Sequence, residues 1–221
     1  MNKFTLVFNE ELAAQCNVLH YTMYCIVQGM GNRMRVIAGT ARRLRLETPE
    51  GRHTRPTSDK IKETLFNILQ AELAECCFLD LFAGSGGIAI EALSRGAREA
   101  VLVDNDREAV RCIKGNLKHT HFEDVSRVMA MDAFQALRRL DILGQPFDII
   151  FMDPPYRAGL AAKIISCLLQ SQLAHEDTLI ILEAPIDLDL SVIEGLPCEV
   201  ERIKEYKTNC HVFMRRTKES V

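Results

Sequence analysis

In the second half of the chain, Phe147-Asp148-Ile149-Ile150-Phe151-Met152 is apolar at all but one position and shows no alternation. That is the pattern of a strand buried on both faces in the middle of a parallel sheet. Cys77-Phe78-Leu79-Asp80-Leu81-Phe82 repeats it, and Ala100–Val103, Ser126–Ala130 and Thr178–Leu182 are shorter candidate strands. Helical spacing falls between them: Ile88–Arg95, a segment capped by Asp106 and running through Leu117, and Leu160–Leu169. Strands alternating with helices predict an α/β fold with helices on both faces of a mostly parallel sheet. Cys198–Ile203 and Cys210–Arg215 read as a closing antiparallel pair. Upstream, Arg35–Leu46 alternates weakly around Gly39, the pattern of a short hairpin. Ile61, Leu65, Ile68, Leu69 and Leu73 form one helical face behind the capping candidates Thr57, Ser58 and Asp59. The domain reading is therefore a hairpin-helix arm over residues 34–75 and a main domain over 76–217. Residues 1–33 are weakly patterned, and Met30 and Met34 offer alternative starts, so this stretch reads as an extension with no part in function.

Composition adds limits. With 221 residues and 48% hydrophobic content there is material for one domain and an appendage. The eight cysteines and six histidines lack ligand spacing, so no metal is expected and the thiols read as buried and reduced. Val18–Val27, broken by His20 and Thr22, is too short to span a bilayer and lacks the flanks of a signal peptide. A cytoplasmic protein without membrane contact is the expectation. The net charge of −3 hides a division: residues 33–62 hold nine basic and three acidic residues, a net +6, against −8 over residues 63–221. Seven of the nine are arginines, whose guanidinium fork matches phosphate oxygens. The arm therefore points to a polyanion, with Arg42, Arg43, Arg45 and Arg55 as candidate contacts.

Candidate chemistry gathers at the ends of the strands. Ala83-Gly84-Ser85-Gly86-Gly87 follows the first strand, where glycines let backbone N–H groups approach a ligand at a helix N-terminus. Gly84-x-Gly86-x-x-Ala89 also satisfies the dinucleotide fingerprint, so this loop alone does not separate NAD from other adenosine cofactors. About twenty residues on, Asp104-Asn105-Asp106 ends the second strand, where a carboxylate can accept ribose hydroxyls. Asp132-Ala133 ends the third, with adenine binding and helix capping as rival roles for the acid. The fourth runs into Asp153-Pro154-Pro155-Tyr156. Two prolines force the chain out of the sheet stiff and extended, holding an acid and an aromatic at its edge. Hydride transfer gives these residues no role. An exocyclic amine does: the Asp153 carboxylate and Pro154 carbonyl can accept its two N–H bonds as the nitrogen attacks an electrophilic methyl group, with Tyr156 stacked on the base.

These residues resemble a known family. Asp80-Leu-Phe-Ala-Gly-Ser-Gly-Gly with Asp104 and Asp153-Pro-Pro-Tyr is similar to the class I S-adenosylmethionine-dependent methyltransferases acting on exocyclic amines. Arg35-Val-Ile-Ala-Gly and Arg55-Pro-Thr-Ser-Asp-Lys-Ile-Lys-Glu-Thr-Leu-Phe-Asn-Ile-Leu resemble, more narrowly, the RsmD family of bacterial rRNA guanine-N2 methyltransferases. The resemblance implies a Rossmann-like, seven-stranded sheet, S-adenosyl-L-methionine as donor, and a monomer acting on a guanine of 16S rRNA in the small ribosomal subunit. It assigns Asp80, Gly84 and Gly86 to the methionine end of the cofactor, Asp104 to the ribose, and Asp132 and Ala133 to the adenine. Phe82, Ser85 and Asn105 complete the cofactor set, and Asp153, Pro154, Pro155 and Tyr156 are assigned to the reacting base. Where the family usually has Arg-Gly-Arg, this chain has Arg42-Arg43-Leu44-Arg45, and no glycine follows Lys204-Glu205-Tyr206. An adenine-N6 DNA methyltransferase, an NAD-dependent oxidoreductase and a non-catalytic nucleotide-binding module are the alternatives.

Overall fold

The computed structural model describes residues 34–49, 59–155 and 159–217, all within one compact unit, Met34–Val221. The opening extension, Arg55 and Tyr156 lie outside the described residues. Helix α1 (Asp59–Ile68) is followed by β1 (Cys77–Asp80), α2 (Gly87–Ser94), β2 (Glu99–Asp104), α3 (Arg107–Thr120), β3 (Ser126–Ala130) and α4 (Ala133–Leu143). Then come β4 (Ile149–Met152), α5 (Leu160–Gln170), β5 (Leu179–Pro185), β6 (Cys198–Glu205) and β7 (Asn209–Arg216). The strands form a seven-stranded sheet in the order β3-β2-β1-β4-β5-β7-β6. Strands β1 to β5 pair in parallel, and β7 runs antiparallel to both β5 and β6. The core lies in two layers: α1, α2 and α3 pack on one face through Phe66, Ile90 and Ile113, while α4 and α5 pack on the other through Leu137 and Ile165. Among the described residues no helix is long and apolar enough to cross a membrane.

This is the expected Rossmann-like α/β fold, with β1 at the centre and connections leaving it in both directions. The crevice at the carboxyl ends of β1 and β4 is the place where such sheets take ligands. Element bounds shift in places. Phe147 and Asp148 precede β4, although the Asp148 N–H already bonds Cys77 O at 3.0 Å. Helix α1 stops at Ile68 and tightens into a 3₁₀ turn, Leu69–Ala71, so Leu73 lies beyond it. Helix α4 was not anticipated beyond its cap.

The arm folds back on itself as a short hairpin, as expected, and is also tied to α2. Arg35 and Arg45 form an antiparallel bridge, with Val36 N donating to Leu44 O, Arg43 N to Val36 O and Leu46 N to Met34 O. Ile37 and Ala38 donate to the Glu91 carboxylate at 2.8 and 2.9 Å, Thr40 N donates to Ser94 O, and Ala41 N to Ser94 Oγ. Glu91 is fully buried and also meets Arg95 Nε at 2.8 Å and Lys62 Nζ at 3.3 Å. The same Lys62 ammonium donates to Arg35 O, and its burial pulls its pKa down while Glu91 opposes. A buried carboxylate without such donors is costly, so this cluster fixes the arm to α2. Gly39 sits at φ +80, and a Cβ there would lie 1.7 Å from Ser94 O. Where the family pattern has glycine, Arg43 holds φ 72, keeping the bend with an arginine.

Gly39→Ala is expected to lower stability by at least about 2 kcal/mol, from left-handed strain plus a backbone clash. Thermal unfolding should show a midpoint roughly 4–8 °C lower; an unchanged midpoint would mean that the arm does not dock on Ser94.

Candidate active site

Parallel register brings the candidate acids to one height on the sheet. Asp80 pairs with Leu102 and Phe151, and Met152 with Leu182. The ladder continues past β1, since Leu81 N donates to Phe151 O and Ala83 N to Val103 O. Carried on by two residues, that register sets Asp104, Phe82, Asp153 and Glu183 on a single rung. Glu183 then pairs with His211 on β7.

The glycine loop is tied to this rung. Gly84 N donates to Asp104 Oδ2 at 2.9 Å, and Asp106 N to Asp104 Oδ1 at 2.9 Å. Asp104 therefore shapes the loop, and any ribose contact uses the remaining lone pairs of these oxygens. Gly84 (φ +56) has open space where a Cβ would project, which leaves its backbone approachable. Ser85 and Ala133 are buried, Phe82 is half-buried and Asn105 exposed. Asp106 caps α3 by accepting from Glu108 and Ala109 N–H. Asp132 caps α4 through Gln135 N at 3.0 Å, the rival role foreseen for it.

Two of the acids are perturbed. Asp80 is buried, and its Oδ1 has no hydrogen-bond partner among the described residues. Burial first, and the Asp104 and Asp153 carboxylates after it, push its pKa up to about 8 against donation from Phe82 and Ala89 N–H. Asp153 is open to solvent on one side but crowded on the other. Loss of hydration, then the Glu183 carboxylate, raise it to about 7. Pro154 is buried and Pro155 exposed, so the turn after β4 is anchored by one ring only.

What holds Glu183, the residue directly after the expected strand Thr178–Leu182, was not foreseen from the sequence. Asn209 Nδ2 donates to Glu183 Oε1 at 2.5 Å, and His211 Nε2 lies 3.2 Å from Oε2. Fully buried His211 meets Tyr206 Oη at 3.1 Å through Nδ1, edge-on to the rings of Phe151 and Phe213. Tyr206 is thus engaged by His211, and burial with Glu183 pushes its phenol up to about 12. Phe122 packs against the core.

Two of the basic candidates, Arg42 and Arg43, are not at this edge. Arg42, Arg43 and Arg45 are exposed, but the turn carrying Arg42 and Arg43 lies against Ser94, at the far end of α2 from the glycine loop. Eight residues of helix separate the two, about 12 Å. The arm's return leg comes back to the loop: Asn116 donates to Ser85 O and Glu47 O, and accepts from Glu47 N.

Comparison with known proteins agrees with this arrangement. The family described as conserved hypothetical protein 95 matches residues 34–214. YlbH of Bacillus subtilis (strain 168), provisionally named an rRNA methyltransferase, is 38% identical over 162 residues, covering 73% of this chain and 88% of its own. Ribosomal RNA small subunit methyltransferase D of Escherichia coli (strain K12) is 35% identical over 161 residues, 73% of this chain and 79% of its own. The structure of yhhF from Escherichia coli, provisionally named a methyltransferase, superposes with a TM-score of 0.73 at 32% identity, covering 84% of this chain and 98% of that one.

Titration of the Asp153 carboxyl by NMR should give a midpoint near 7, and Glu183→Gln should move it down towards the ordinary carboxylate range. A midpoint indifferent to that substitution would show that the two carboxylates do not interact.

Proposed function

The chain belongs to the family described as conserved hypothetical protein 95, the RsmD family of methyltransferases, and from that membership and the strand-end geometry we propose that it methylates the exocyclic N2 amine of a guanine in 16S rRNA. It is an S-adenosylmethionine-dependent rRNA methyltransferase in this reading, working in the cytoplasm on the small ribosomal subunit. The observation that carries the reading is the shared rung of Asp104, Asp153 and Glu183 beside the glycine loop.

The residues fit the cofactor. S-adenosylmethionine supplies a methyl group made electrophilic by a sulfonium, and it carries positive charge. Asp80 keeps a buried oxygen without a partner among the described residues, and Asp80, Asp104, Asp153 and Glu183 form a negative cleft that favours such a ligand. Gly84 offers open backbone, and Phe82, Ser85, Gly86, Asn105, Asp132 and Ala133 line the cofactor in this reading. Asp153 and the Pro154 carbonyl accept the two N–H bonds of the amine. Their acceptors stabilise positive charge as it develops on the nitrogen, and the proton departs after the methyl has arrived. Tyr156 stacks on the base, while Arg42, Arg43, Arg45 and Arg55 hold phosphates.

Asp153 opposes the positive charge developing on the amine only when ionised. Its raised pKa means that the working form is lost as pH falls, so kcat/KM, which reports the free enzyme, should climb between pH 6 and 8 with a midpoint near 7. Asp153→Ala should lower kcat at least about 100-fold with a much smaller loss of cofactor affinity, since its bond to the amine is made chiefly in the transition state and three other carboxylates of the cleft remain. Unchanged turnover would remove Asp153 from the chemistry. Labelled methyl transfer to small subunits lacking the modification, naked rRNA and DNA, followed by nucleoside identification, should yield N2-methylguanosine from rRNA. N6-methyladenosine would overturn the choice of base.

A further inference from the structure

We propose that the outer face of α3 is a phosphate-binding surface for the RNA, linking the catalytic edge to the arginines of the arm; the inference rests on the rRNA methyltransferase reading. Arg107, Arg111, Lys114 and Lys118 fall at i, i+4, i+7 and i+11, one stripe of a helix, and all four are exposed. The opposite side of α3 is buried through Ala109, Ile113, Asn116 and Leu117. Among the described residues, only Arg111 of these four makes an ion pair, with Glu108 at 2.5 Å.

A solvated helix face is the plain alternative, but this stripe is unlike the surface around it. Residues 63–221 carry −8, and an outer helix face drawn from that body should mix acids with bases. Here Glu108 is the one acid among the exposed positions of α3. Position strengthens the case. Helix α3 starts directly after Asp104 and Asp106, at the catalytic edge, and its 14 residues run about 21 Å down the same layer that holds the arm. The two surfaces touch: Glu47 bonds Asn116, and Cys112 Sγ donates to Glu47 O at 3.0 Å, which sets Arg45 beside the helix. Arg42 and Arg43 stand remote from the reacting base, and the stripe fills the interval. Cations repeated every three or four residues suit the regular backbone of a nucleic acid, and contacts of that kind position the chain without reading its sequence.

The test uses the full chain with Arg111, Lys114 and Lys118 all changed to Gln, and a control with Arg138→Gln and Arg139→Gln on α4. The control residues are exposed and lie on the opposite layer. Binding to small subunits and to naked rRNA is measured across salt concentrations. Loss of about three phosphate contacts should reduce the slope of log affinity against log salt by about 2. Cofactor affinity and thermal midpoint should stay at wild-type values, and the control should keep the wild-type slope. A triple variant with the wild-type slope overturns the proposal, as does a control that loses as much. If the unaltered protein methylates no RNA, the underlying reading fails; if it does and the triple variant binds normally, only the α3 surface is refuted.

Discussion

Parallel strands in register impose the constraint on which this protein's chemistry depends. Side chains far apart in sequence, Asp104, Phe82, Asp153 and Glu183, stand at one height because hydrogen bonds between neighbouring strands leave no freedom to slide. A slip of one residue would turn every one of them to the other face. Buried apolar contacts on both layers make such a slip prohibitive, with Leu79, Ile150 and Ile180 on one side and Phe78, Phe151 and Ile181 on the other. The geometry of the cleft is therefore a property of the whole sheet, and the loops only finish it.

Like charges brought this close would repel in isolation. The protein answers with two kinds of support. Asp104 is satisfied by backbone N–H groups, and Glu183 by Asn209 and His211, so each is anchored from outside the cleft. Asp80 and Asp153 are left to be relieved by protonation or by a positively charged ligand, and their raised pKa values record that tension. The cleft is thereby biased towards a cation in a way that no single residue would produce.

Much of this was legible beforehand. Continuous apolar runs gave β1, β2, β4 and β5, because strands buried on both faces have no polar positions to obscure them. Asp106 and Asp132 announced their helices by the usual capping preference. What escaped is non-local. Beyond its own hairpin pairing, the arm's backbone bonds run to Glu91 and Ser94, more than fifty residues away, and no hairpin rule anticipates that. His211 sits inside an apolar strand, and its partners on β5 and in the β6–β7 turn become visible only when the sheet is assembled. The remoteness of Arg42 and Arg43 from Asp153 likewise depends on how α2 lies against the sheet.

Arg43 carries a further consequence. An L residue at φ 72 holds about 1 kcal/mol or more of strain that glycine would avoid. Its side chain is exposed and makes no hydrogen bond or ion pair among the described residues. The Arg43 N–H nevertheless donates to Val36 O at 2.9 Å. The turn therefore keeps its backbone pairing at an angle that glycine would reach without strain.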